Sequence, residues 1–216
     1  MIERKFVAAN MKEFLIQEFI GSSIKGAEHS HTKLQKTPLG ERIVIYSSKP
    51  GIIVGKKGQN IKQLTKVLKK KFGLENPQIE ISEVENPYFD PNIMAERIVN
   101  YLEKFGTSKF KSIGHKVMSD VMGAGAMGIE ILISGKIPSA RAKSWRFYQG
   151  YLKKCGDIAL TGVKIAYATA QLKTGSIGVK VSIMTPDTIL PDKIKIRVKE
   201  EEKEPEKKED GKEKGA

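Results

Sequence analysis

Two α/β domains followed by a charged tail are what the sequence predicts, and three observations carry that reading. Segments with apolar residues at helical spacing alternate with segments of period two along residues 1–198. Gly106 ends one helical pattern, and Thr107 or Ser108 can cap a new one. From Lys199 onward no aromatic residue occurs, nor any aliphatic residue larger than the final Ala. Such a segment has too little apolar surface to offset its ordering entropy and is expected to be disordered. The expected units are therefore 1–106, 107–198 and 199–216.

Each element follows from local pattern. Val7, Met11, Phe14, Leu15 and Phe19 recur at helical spacing, predicting an amphipathic helix over Phe6–Ile20 that ends at Gly21. Gly26–Pro38 alternates weakly and suits an edge strand. Arg42–Tyr46 alternates clearly, predicting a strand closed by the turn signal Lys49-Pro50-Gly51. After the apolar trio Ile52–Val54 and the loop Gly55–Gly58 comes a helix to Phe72, with a core stripe of Ile61, Leu64, Leu68 and Phe72. Lys62, Lys66, Lys69 and Lys70 fall on its opposite side. Gln78–Val84 predicts a strand. Asp90-Pro91 opens a helix, Asp as the cap and Pro in the first turn, with Met94, Ile98, Tyr101, Leu102 and Phe105 on one face.

The second unit begins with a helix bearing Phe110, Ile113, Val117 and Val121. Ile129–Ile133, Val163–Thr169 and Ile177–Ile183 predict three strands of a mainly antiparallel or mixed sheet. Ser139–Lys154, a basic and aromatic-rich segment, lies between the first two. Lys193–Val198 alternates strictly and reads as a last strand or an arm.

Charge narrows the function. Lys and Arg number 38 against 25 Asp and Glu, a net of +13. Residues 199–216 hold six Lys and eight acids, leaving 32 basic and 17 acidic residues in 1–198. An excess of that size points to a polyanionic partner. The lone Cys155 excludes an internal disulfide and a cysteine-based zinc site, and fits a reducing compartment. No apolar run is long enough to span a bilayer, and the N-terminus lacks the order of a signal peptide; a cytoplasmic protein without membrane contact is expected.

The most informative stretch is Gly55-Lys56-Lys57-Gly58, a G-x-x-G opening a helix. Two glycines let backbone approach a sugar-phosphate chain without an intervening Cβ. The helix N-terminus adds oriented N–H groups, and the two lysines add full charges aimed at phosphates. A bare G-x-x-G is only a tight turn; the preceding Ile-Ile-Val and the following basic helix make it resemble a KH domain of type II. Such a loop clamps about four nucleotides of single strand. Gly55, Lys56, Lys57 and Gly58, with Lys62 and Lys66 on the helix, are the candidate RNA contacts.

Enzyme signatures fail on inspection. Gly123-Ala-Gly-Ala-Met-Gly128 matches the dinucleotide fingerprint, but a helix precedes it and a strand follows, the reverse of what phosphate binding needs. It reads as a helix stop and a close-packed turn. His29 and His31 could share a metal only with a third ligand that no spacing supplies, so a solvent-facing or phosphate-facing role is expected. No Walker loop, G-x-S-x-G or zinc-protease motif occurs. No catalytic residue, cofactor or metal is expected.

In the second unit, Lys109, Lys111, His115 and Lys116 project from the opening helix. Lys136, Arg141, Lys143, Arg146, Lys153 and Lys154 surround Trp145, Phe147, Tyr148 and Tyr151. Interleaved cations and rings suit folded RNA. The rings read as core, and the charges, with no acid among them, as RNA contacts.

Taken with Lys49–Gly58, the stretches Gly128–Ile137, Tyr167–Ala170 and Gly175–Val181, in that order, resemble the family of the third protein of the small ribosomal subunit. The resemblance covers about residues 1–190. It implies a type II KH domain joined to an α/β domain anchored on small-subunit rRNA, in the head of the subunit, near where mRNA enters and beside other head proteins. It also implies an assembly and decoding-support role without turnover and no homo-oligomer. The family's basic cluster at the mRNA entrance maps, by the flanking Phe110, onto Lys111, Ser112, His115 and Lys116. Ser112 stands where an Arg is expected, which argues against strong mRNA unwinding. Ala140–Asp157 departs from the bacterial form, and that segment and the charged tail look archaeal-like. A free-standing KH regulator or RNA chaperone is the first alternative, and an oxidoreductase using the glycine-rich turn the second.

Overall fold

The computed structural model describes residues 2–24, 26–38, 40–74, 76–192 and 194. The expected tail at 199–216 and all but Ile194 of the expected strand or arm at Lys193–Val198 lie outside those residues.

The first unit comprises α1 (Ile2–Ser23), β1 (His29–Thr37), β2 (Gly40–Ser47), α2 (Pro50–Val54), α3 (Gln59–Phe72) and β3 (Gln78–Glu83). The sheet order is β1-β2-β3, with β1 antiparallel and β3 parallel to β2. The parallel pair needs a crossover, and α2 and α3 supply it. Ile43 and Ile45 of β2 face the helices, meeting Ile16 and Ile20 of α1, Ile53 of α2 and Leu68 of α3 in one core.

Two local expectations change here. The Pro50–Val54 stretch is a helical turn with Pro in its first turn, where a missing N–H costs nothing. More consequentially, α1 buries a different stripe from the one its spacing suggested. Ile16 and Ile20 are its buried residues, whereas Val7 (62%), Met11 (57%), Phe14 (61%) and Leu15 (46%) remain exposed. The helix is apolar on two faces, and periodicity alone does not choose between them. It also runs past Gly21 to Ser23, because Ile24 still packs in the core and its N–H donates to the Ile20 carbonyl at 3.0 Å.

The second unit comprises α4 (Pro91–Phe105), α5 (Phe110–Gly123), β4 (Gly128–Gly135), β5 (Lys143–Gly150), α6 (Asp157–Thr161), β6 (Val163–Leu172) and β7 (Gly175–Met184). Its antiparallel sheet has the order β5-β4-β7-β6, and α4 and α5 cover one face. Ile93, Met94, Ala95, Ile98, Val99 and Leu102 of α4 all lie in this core. The helix therefore packs across the boundary expected after Gly106. β5 was not anticipated: its Trp145 and Phe147 face α5, while Arg146 and Tyr148 point to the open face.

Gly128 explains the glycine-rich turn. A Cβ there would lie 2.1 Å from the Tyr151 carbonyl oxygen, so the residue serves close backbone packing between β4 and the end of β5. The turn leaves a helix and enters a strand, as its order in the sequence requires.

Candidate nucleic-acid interface

The G-x-x-G loop sits between α2 and α3, and three of its four residues have positive φ: Gly55 at 68°, Lys57 at 54° and Gly58 at 72°. Gly55 needs its missing side chain twice over, since a Cβ would also stand 2.5 Å from Asn60 Nδ2. That amide donates to the Ile52 carbonyl at 3.0 Å, tying α2 to α3 under the loop. No side chain caps the start of α3; a tight turn leads into it, the Gln59 N–H donating to the Lys56 carbonyl, with Lys56 and Lys57 exposed. Lys62 and Lys66 are exposed farther along the helix. Exposed Ile52 and Val54 flank the loop, and a groove of about 340 Å³ lined in part by Ile52, Asn60, Gln63 and Leu64 runs beside it. Two exposed cations without an ion pair among the described residues, glycines that bare the backbone and an apolar shoulder together match the chemistry of a nucleotide strand.

What aims this loop is a network the sequence reading missed. Glu28, only 2% exposed, accepts from Lys49 and, at 2.8 Å, from Arg97 of α4. Lys49 immediately precedes α2. Burial alone would raise the Glu28 pKa, but the hydrogen bonds and charges of Arg97 and Lys49 outweigh it and hold the carboxylate below its ordinary range. Glu96 accepts from the backbone N–H groups of Gly26 and His29, at 2.5 and 3.0 Å. Asp90, expected to cap α4, instead accepts from Ser30 Oγ at 2.7 Å. Through these contacts α4 is welded to the segment that leads into β1.

His29 and His31 belong to this seam. A bulge between them breaks their common face. His29 Nε2 lies 2.9 Å from Thr32 Oγ1, and His31 stacks on Tyr46 at 4.3 Å. Burial, then neighbouring His31, lowers the His29 pKa; burial also lowers that of His31, with Asp90 opposing and Lys33 and Lys164 assisting. Both shifts favour the neutral imidazole; His31 is exposed, in keeping with the solvent-facing alternative, whereas His29 is half-buried. Among the described residues, no three His, Cys, Asp or Glu converge in a group that could hold a metal.

The basic residues of the second unit divide into two sets. Arg146 and Lys154 both donate to Glu130 of β4, the latter at 2.8 Å, and Lys153 pairs with Asp192 at 3.0 Å. Burial would raise the Glu130 pKa, yet Lys154 and Arg146 lower it overall. The neighbourhood is thus not acid-free: antiparallel pairing of β4 with β5 brings Glu130 in, from a strand the sequence reading did not pair. Lys109, Lys111, Lys116, Arg141 and Lys143 have no ion-pair partner among the described residues. Four of these lysines lie over rings: Lys109 over Phe105, Lys111 and Lys143 over Trp145, and Lys116 over Tyr101, at 5.0 to 5.9 Å. His115 meets Phe147 edge-on at 5.2 Å. Of the four aromatic residues expected in the core, Phe147 is buried and Trp145 partly so, whereas Tyr148 and Tyr151 are exposed.

A family model described as KH domain matches residues 15–88, and one described as Ribosomal protein S3, C-terminal domain matches residues 99–183. The chain is 43% identical over 197 residues to the small ribosomal subunit protein uS3 of Methanocaldococcus jannaschii, covering 91% of this chain and 94% of that one. It is 43% identical over 196 residues to the Methanococcus maripaludis protein of the same name, covering 91% and 92%. The Methanobrevibacter smithii counterpart is 41% identical over 196 residues, covering 91% and 78%.

Proposed function

The chain belongs to the family of small ribosomal subunit protein uS3, and from that premise we propose that its G-x-x-G loop clamps single-stranded RNA while its second unit grips rRNA and the strand entering the subunit. As a member of that family it is a structural constituent of the small ribosomal subunit, not an enzyme, and it works on the ribosome in the cytoplasm. Small-subunit rRNA is its RNA partner. mRNA near its entrance channel and the neighbouring proteins of the subunit head are the further partners of this reading, with one copy acting alone.

One observation carries the clamp: Lys56 and Lys57 stand exposed between two positive-φ glycines at a helix start that no side chain caps. Lys109, Lys111, His115 and Lys116 supply the mRNA-facing cluster, and Arg141 and Lys143 the second-unit contacts to rRNA. Arg146, Lys153 and Lys154 enter the same surface already paired with acids, which reduces what each can offer a phosphate. Lys62 and Lys66 extend the clamp along α3.

The test is a salt series with the full chain and a short single-stranded RNA. Each single-strand phosphate neutralised contributes about 0.7 to the slope of log affinity against log salt. Changing Lys56 and Lys57 to Ala should therefore lower the slope by about 1.4 and weaken binding, with circular dichroism unchanged. A folded double variant with the parent slope would remove the clamp from this reading.

A further inference from the structure

Lys111 and Lys143 come from different elements, one in the first turn of α5 and the other at the first residue of β5. The fold brings both to one ring. Their ammonium groups lie 5.0 and 5.9 Å from the centroid of Trp145. That ring is fixed by packing: it lies against the second core and 5.3 Å from the Phe110 ring. Among the described residues its buried Nε1–H has no hydrogen-bond partner, so packing and not a polar contact holds it.

Neither lysine meets a carboxylate within ion-pair distance among the described residues, unlike Arg146 and Lys154, which share Glu130. The ring's negative face favours a cation above it, but a neutral ring cannot cancel two charges. The site therefore holds two exposed, unneutralised cations, each within 6 Å of one ring centroid, which keeps both within reach of nearby phosphates of a single strand. The ring is partly buried against Phe110 and the second core and has both lysines beside it, so it acts on RNA by positioning them.

We propose that Lys111, Lys143 and Trp145 form a single clip for the RNA backbone, with the two lysines contacting phosphates and Trp145 acting as a positioning residue. The clip rests on the RNA-binding reading above and deepens it by joining α5 and β5 in one contact. It takes phosphates of one strand without regard to base sequence.

Trp145 is the single tryptophan of the chain, so its emission reports on the clip directly. The full-length protein is titrated with a labelled RNA hairpin carrying a single-stranded tail, following label anisotropy and tryptophan emission together. Emission should change with the same midpoint as anisotropy, because phosphates arriving at the lysines alter the field at the ring. In the Lys111→Ala/Lys143→Ala variant, folded by circular dichroism, the emission change should vanish and the salt slope fall by about 1.4 to 1.8. Each single variant should lose at least half of the emission change. If RNA binds while emission stays fixed, or the double variant keeps the parent slope, the clip is overturned and RNA binding stands. If anisotropy detects no binding by the parent, the RNA-binding reading fails and the clip with it.

Discussion

Replacing Glu28 by Gln should destabilise the protein by about 2–3 kcal/mol at pH 7, and the loss should shrink as the pH falls. The magnitude follows from the site. Glu28 is 2% exposed and its Oε2 accepts from Arg97 at 2.8 Å, a bond between charged groups worth about 1.5–3 kcal/mol. Lys49 is half exposed, so its pair adds at most about 1 kcal/mol. Gln keeps one acceptor for Arg97 but leaves that half-buried cation without its counter-charge. The pH dependence has a definite sign. The folded-state pKa of Glu28 is lowered from 4.5, so its stabilisation is fully present above that value and is lost as pH falls through the lower folded one. Urea unfolding followed by circular dichroism at pH 7 and pH 3.5 measures both. The midpoint should drop by about 1 M at pH 7, and by less at pH 3.5. A variant within 0.5 kcal/mol of the parent at pH 7, or a gap that widens on acidification, would refute the network as described.

Two further outcomes test the packing. Gly128→Ala places a Cβ 2.1 Å from a backbone oxygen that has no rotamer to escape by, and should cost about 3 kcal/mol, roughly 6–12 °C in Tm; a Tm within 2 °C of the parent would contradict the close approach. Phe14→Ser on the exposed side of α1 should change stability by less than about 0.5 kcal/mol, whereas Ile20→Ala on its buried side should cost about 2–5 kcal/mol; the reverse order in thermal unfolding would restore the stripe that spacing suggested.

Much of the architecture was legible because local pattern and fold agree. The alternation of Ile43 and Ile45, the Leu68 stripe behind the glycine loop and the Phe110–Val121 stripe all emerged as the buried faces of their elements. What was not legible depends on partners distant in sequence. The two apolar sides of α1 carry similar residues, and only the position of Ile16 and Ile20 over the β2 face decides which is buried. β5 was hidden because aromatic residues stand on both of its faces, Trp145 and Phe147 inward and Tyr148 outward, and only Phe147 is fully buried, so no apolar alternation marks the strand. With β5 unseen, the pairing of Glu130 with Arg146 and Lys154 was out of reach, although Glu130 alone breaks the apolar run Ile129–Ile133. Glu28 gave no signal at all: an acid 69 residues from its Arg97 partner has no motif to mark it.

The central claim is that this chain is a fixed component of the small ribosomal subunit, bound through RNA. The most direct measurement is sedimentation of a tagged full-length chain in a sucrose gradient, with quantification against small-subunit proteins and crosslinking to the RNA of each fraction. The account predicts one copy per small subunit, retained through a moderate-salt wash and crosslinked to small-subunit rRNA. A chain that stays at the top of the gradient, or that leaves the subunit in that wash, would contradict it and favour a free RNA-binding protein.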